Sequence, residues 1–170
     1  AVVLAFSVGS LFFIFFNFGL DLHLIRDVRH SLATGDRGAL RELLSTVATL
    51  KVWLLPVFIG LFALTFWAFH WDRAYFPVML LIFLYFYIFS AVQLVLFVFR
   101  AFEKMKYEFF IRSIQATALL AVTVFFGFFY KNVVLLSAGY AVITGLILLG
   151  ACGFFVRKTR LIPLVGHWIR

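Results

Sequence analysis

Charge is what this chain of 170 residues has least of: Asp, Glu, Lys and Arg make up 13% of it, against 65% apolar residues. Its mean hydropathy is +1.11. Soluble domains carry about 25% charged and about 45–50% apolar residues. A soluble fold of this length could not cover so much apolar surface, so lipid must be the solvent for much of the chain. Cysteine is nearly missing as well. The single Cys152 lies in an apolar run and reads as a small packing residue, which excludes a disulfide framework and a cysteine-built metal site. Gly-rich phosphate loops, a Ser/His/Asp set and paired carboxylates are all lacking. Neither catalytic machinery nor a cofactor is indicated. The chain also opens at Ala1 in mid-hydrophobic sequence, with no Met and no basic leader region, which is not how a signal peptide reads. Residues 1–170 are therefore expected to be a single transmembrane domain cut from a longer membrane protein.

What is present is a series of apolar runs. A helix needs roughly 20 apolar residues to cross the ~30 Å hydrocarbon core, and five stretches qualify or nearly do: 1–20, 52–70, 74–99, 113–130 and 132–156. Each must be a helix, because backbone polar groups have no water to bond in lipid. The expected fold is all-α, a polytopic transmembrane helical bundle of five spans in contact with the lipid bilayer. Pro77 falls in the first turn of the third span, where its missing N–H is harmless. Pro56 should kink the second span near its inner end. Ser137, Ala141 and Gly145 recur every four residues in the fifth, a spacing that lets helices approach closely in lipid.

The net charge of +8 does not point to nucleic acid, since the basic residues are spread among short loops. It points to orientation instead. Loop 21–51 holds five Lys/Arg, loop 100–112 holds four and the tail 157–170 holds four, while 70–73 and 130–132 hold one each. Loops rich in Lys/Arg stay cytoplasmic. The three basic segments are thus expected inside an inner (plasma) membrane crossed several times, and the other two outside it. Trp67, Trp71 and Tyr75 then cluster at the outer boundary and Trp53 and Tyr107 at the inner one, the depths amphipathic rings prefer.

The long loop 21–51 is expected to carry structure of its own. Leu20, Leu24, Val28 and Leu32 recur every four residues and lay an apolar stripe along a helix. Thr34-Gly35 breaks it. Asp36 is a plausible N-cap for a second helix that runs through Leu40, Leu43, Leu44 and Val47 into the next span.

Three bulky amides sit within spans, Asn17, Gln93 and Gln115, all in the cytoplasmic half. Gln93 is seven residues from Arg100, ~10 Å inside the edge at 1.5 Å rise per residue. Such groups serve interhelical hydrogen bonding or line a hydrophilic cavity, here one rimmed by Arg26, Arg29, Arg100 and Arg112. Those arginines act as topology determinants and lipid-headgroup contacts, or they recognise phosphate, which the planar guanidinium fork suits. His23, Asp27 and His30 share a helical face, a spacing that a metal could use. They supply three ligands at most, His70 and His167 are remote, and a solvated charged face is the better reading.

In the long loop, Phe18-Gly19-Leu20 is followed by Leu24-Ile25-Arg26-Asp27-Val28-Arg29, then by Leu43-Leu44 and Thr49-Leu50-Lys51. Further on comes Val98-Phe99-Arg100-Ala101-Phe102-Glu103-Lys104-Met105-Lys106-Tyr107. In their order and spacing these runs resemble the polysaccharide biosynthesis and oligosaccharide flippase family. The resemblance implies helices two to six of a multidrug/oligosaccharidyl-lipid/polysaccharide (MOP) exporter of about a dozen or more helices, two bundles around a cavity that opens alternately to either side. It implies a lipid-linked oligosaccharide as substrate, carried on undecaprenyl diphosphate, and other polysaccharide-assembly proteins as partners. It places Arg26 and Arg29 at the cytoplasmic end of the second helix and Arg100 at that of the fourth. Other readings remain: a drug or cation exporter of the same superfamily, which usually needs an acid within a span; a membrane metalloenzyme at His23/Asp27/His30; and a scaffold subunit.

Overall fold

In lipid the backbone must satisfy its own N–H and C=O groups, and in the computed structural model every described element is accordingly a helix. The structure describes residues 2–17, 26–28, 30–31, 34, 37–68, 75–102, 105–130 and 132–159. Five helices carry the fold: α1 (Val2–Asn17), α2 (Arg37–Ala68), α3 (Phe76–Ala101), α4 (Met105–Val124, continued by a π-helical turn Phe125–Tyr130) and α5 (Val133–Thr159). Four of them, α2 to α5, are long and apolar enough to cross a membrane. The 16 described residues of α1 fall short of the roughly 20 a crossing needs.

One expected loop turns out to be largely helix. The separator drawn over 100–112 shrinks to a few residues, since α3 runs to Ala101 and α4 begins at Met105. Within 21–51, the second helix expected from Asp36 onward is present as the first half of α2, one helix of 32 residues and ~48 Å that runs on into the next span. Charged residues misled the boundary at 100–112, because a charge within a turn or two of a helix end need not stop the helix. Pro56 lies inside α2, and the helix continues through it. Pro77 does sit in the first turn of α3. Asn132 caps α5, its Oδ1 accepting from the Val134 N–H at 2.9 Å.

Helix directions follow from the side-chain pairs. Climbing α2 from Lys51 to Phe66 moves backward along α3 from Ser90 to Phe76, so these two are antiparallel. Tyr85 meets Tyr140 and Phe99 meets Phe154, so α5 runs parallel to α3. Helix α4 runs against both, through Arg112 to Gln93 and Thr123 to Tyr140. Helix α1 packs on α3 through Phe6 to Tyr85, Phe12 to Phe83 and Phe13 to Phe89. From α2 to α5 directions alternate along the chain, as back-and-forth threading requires.

Helix α3 is central and supplies residues to both buried clusters. One joins Phe58 and Phe62 of α2 to Val78, Met79, Ile82 and Phe83. The other, at the opposite end of α3, joins Val28, Leu40 and Leu44 to Val98 and Phe99. Val28 is fully buried, so the short helical segment at 26–28 docks beside the last turn of α3. Thr34 follows it, its N–H donating to the His30 carbonyl at 3.0 Å. Many of the 25 phenylalanines interlock ring against ring: Phe12 on Phe83, Phe62 on Phe83, Phe66 on Phe76, with centroids 5.0–5.5 Å apart. Offset and edge-on aromatic pairs add attraction beyond burial.

Close approach falls on other glycines than the expected one. A Cβ on Gly139 would lie 2.8 Å from Val122 Cγ1 and one on Gly9 2.4 Å from Phe86 Cδ2, whereas Gly145 has open space. Ser137 and Ala141 are buried as the small-residue stripe predicts. Trp53, two residues beyond Lys51 on α2, lies level with the middle of α3 and is 74% exposed. Tyr107 does lie near the end of α3, against Phe99.

Candidate functional site

Three polar residues on α3 share a stripe: Ser90, Gln93 and Arg100 are spaced i, i+3, i+10, within one side of a 3.6-residue helix. On α4 Glu108, Arg112 and Gln115 are spaced i, i+4, i+7 and share a face as well. The antiparallel packing of the two helices turns these faces toward each other. Arg100 donates through Nε to Glu108 Oε2 at 3.0 Å, and its Nη2 grips Oε1, which makes the pair bidentate. Arg112 donates through Nε to the same Oε1 at 3.0 Å and through Nη2 to Gln93 Oε1 at 2.9 Å. One carboxylate thus holds two guanidiniums from neighbouring helices.

The electrostatics are asymmetric. The Glu108 side chain is only 10% exposed, while those of Arg100 and Arg112 are 37% and 42% exposed. A buried carboxylate is costly unless paired and hydrogen-bonded, and here both oxygens are taken. With two cations and one anion the cluster is net positive, and its cationic members face outward. Arg100 also lies 5.3 Å from the centre of the Phe97 ring, a cation–π contact. Each guanidinium is therefore fixed on more than one side.

Farther along α4 from its start, Gln115 is buried and its Nε2 finds no partner among the described residues. The same holds for Thr49 Oγ1 on α2 and Thr144 Oγ1 on α5. All three lie within about a helical turn of the level of Ser90 in the register described above. Lys51 joins them there. Its Nζ donates to the Ser90 carbonyl at 2.9 Å and contacts the Ser90 hydroxyl, while Tyr87 OH donates to the Lys51 carbonyl at 3.0 Å. A charged side chain inside a span costs at least about 2.5–3.5 kcal/mol and marks function by default.

Of the residues singled out in the sequence, the structure gathers Gln93, Arg100 and Arg112 into one cluster and sets Gln115 one turn beyond it. Arg26 is exposed on its short helical segment and is not shown to join them. Arg29, His23 and the Asn17 side chain lie outside the described residues, so the His23/Asp27/His30 trio is not placed; Asp27 and His30 are exposed. Glu108 and Lys51 were missed. Glu108 carried a signal in its spacing to Arg112 and Gln115, hidden by reading 100–112 as a loop. Lys51 carried none, for its partner lies 39 residues away. No known protein family matches this chain, and neither a curated protein nor a solved structure is similar to it.

Proposed function

We propose that this chain is part of a multi-pass plasma-membrane transporter that moves a lipid-linked oligosaccharide from the cytoplasmic to the outer leaflet by alternating access. The observation that carries the reading is the pair Arg100–Arg112, drawn from two antiparallel helices and clamped by one buried carboxylate at one end of the bundle. Fixed guanidinium forks at a membrane edge suit the phosphates of a lipid carrier. The amides of Gln93, two turns along α3 from Arg100, and Gln115, one turn along α4 from Arg112, suit sugar hydroxyls. On the sequence alone, the reading also counts Arg26 and Arg29 among its cations and Asn17 among its amides. The cluster end faces the cytoplasm, where basic segments are retained, and transport is a rocking of this bundle against a second one. No bond is made or broken, and no cofactor is required.

A second reading, a cation-coupled exporter of the same superfamily, gains from Glu108 lying within α4. Both its oxygens are already engaged by arginine, so a cation has to compete with two guanidiniums, and the first reading is preferred.

The test is transfer of a lipid-linked oligosaccharide across vesicles containing the full protein. Arg100→Ala and Arg112→Ala are expected to lower transfer at least tenfold, and the lysine versions to recover part of it. Normal transfer by correctly inserted alanine variants would rule the reading out.

A further inference from the structure

A lateral groove of about 490 Å³ lies between α4 and α5. The two helices touch on either side of it. At one end the Tyr107 ring meets Phe154 with centroids 4.9 Å apart, and beyond the other Gly139 lies against Val122. Between those contacts the lining includes three small residues, Ala118, Gly150 and Ala151, which leave a slot. Length and charge say what fills it. The lining runs from Tyr107 to Ala118 on α4 and from Ile143 to Phe154 on α5, ~16 Å along each helix. That is about half of the ~30 Å hydrocarbon core, the depth of one leaflet. A crossing helix needs the whole core, whereas an acyl chain ends where this groove ends. Cations stand at one end only. Lys106, exposed, precedes Phe110 by one turn on α4, and Arg157 and Lys158 follow Phe154 at i+3 and i+4 on α5. Neither helix carries a charge from Ala118 to Tyr130 or from Val133 to Ile143. Helix α5 has no acid, and Glu108 of α4 is held by Arg100 and Arg112.

We infer that this groove seats one acyl chain of an anionic membrane phospholipid, with the phosphate at Lys106, Arg157 and Lys158 beyond the Tyr107 end. Apolar walls take the chain, and basic residues at a membrane edge attract anionic headgroups. The lipid is a resident wedge, not a cargo: it fills the slot and fixes the spacing of α5 from the helix that carries Glu108 and Arg112. The inference therefore goes beyond the transporter reading and does not depend on what is transported.

Gly150 supplies the test, because open space stands where its side chain would be and leucine favours a helix over glycine. Gly150→Leu therefore fills the slot from within. Full-length protein, stripped of lipid in detergent, is titrated with dioleoyl phosphatidylglycerol or dioleoyl phosphatidylcholine, and bound lipids are counted by native mass spectrometry. The tightest site is expected to prefer phosphatidylglycerol several-fold. Oleoyl lysophosphatidylglycerol, with one chain, competes for it, and glycerophosphoglycerol, with none, does not. Gly150→Leu holds one phosphatidylglycerol fewer. Lys106→Gln, Arg157→Gln and Lys158→Gln combined keep the lipid and lose the headgroup preference; should that variant fail to insert, Gly150→Leu still decides. No preference in the unmodified protein, a preference that survives the triple substitution, or an unchanged lipid count in Gly150→Leu overturns the assignment. A further helix of the chain or a second copy in the groove would show as a lower melting temperature or a changed oligomeric state in Gly150→Leu with the lipid count unchanged, which overturns it as well.

Discussion

Arg112 and Glu108 stand four residues apart on α4 and meet through Nε and Oε1 at 3.0 Å, while Arg100 of α3 grips the same carboxyl. Removing the carboxylate takes the shared acceptor from both guanidiniums, whereas removing Arg112 leaves Glu108 still paired. Glu108→Ala is therefore expected to cost about 1.5–3 kcal/mol and Arg112→Ala about 1 kcal/mol, the arginine being two-fifths exposed. Reversible unfolding in detergent ranks the two. The opposite order would mean that Arg112, not Glu108, joins the helices.

Close packing of α4 on α5 depends on Gly139. A methyl there meets Val122 at 2.8 Å, while one on Gly145 meets nothing. Gly139→Ala should destabilise by about 1–3 kcal/mol, and Gly145→Ala should stay within about 0.5 kcal/mol. Melting temperatures of the two variants, measured side by side, decide it.

Gln115 offers a test in which stability and function part company. Its Nε2 is buried without a partner among the described residues, and an unmet donor costs about 1–3 kcal/mol. Gln115→Leu is expected to hold or raise the melting temperature while lowering oligosaccharide transfer. A fall in both would assign the amide to packing.

Threading can be checked from outside the cell. Thr34 and Asn132 are both exposed and lie at opposite ends of the alternating bundle. Cysteines placed singly at these positions, with Cys152→Ser, should react with an impermeant maleimide from opposite compartments, position 132 from outside. Labelling of both from one side would contradict the alternation.

The helical class was legible because apolar runs of spanning length leave the backbone no other option. The inward third of the site was legible too, for Gln93 and Gln115 are conspicuous among Leu, Val and Ile. Helix limits were not. The helix from Arg37 was legible through Leu40 and Leu44, which are buried on one side of its first turns, but its union with the next span into one helix of 32 residues was not. Reading 100–112 as solvent-side loop then concealed Glu108, whose place depends on α4 running back along α3. Lys51 shows the limit most clearly: a lysine beside a long apolar run reads as the run's border, and only the antiparallel register with α3 sets it beside Ser90.

Both ends of α3 are buried in apolar clusters, and the contacts added to those clusters differ. Toward Phe76 it is gripped by rings of α1 and α2 set edge against face; toward Arg100 its partners on α4 are charges and amides that can trade one bond for another. Interlocked rings resist sliding, whereas polar contacts re-form after a shift. The α3–α4 seam beside Gln93 can therefore exchange partners in place while the apolar clusters at both ends of α3 keep the helices together.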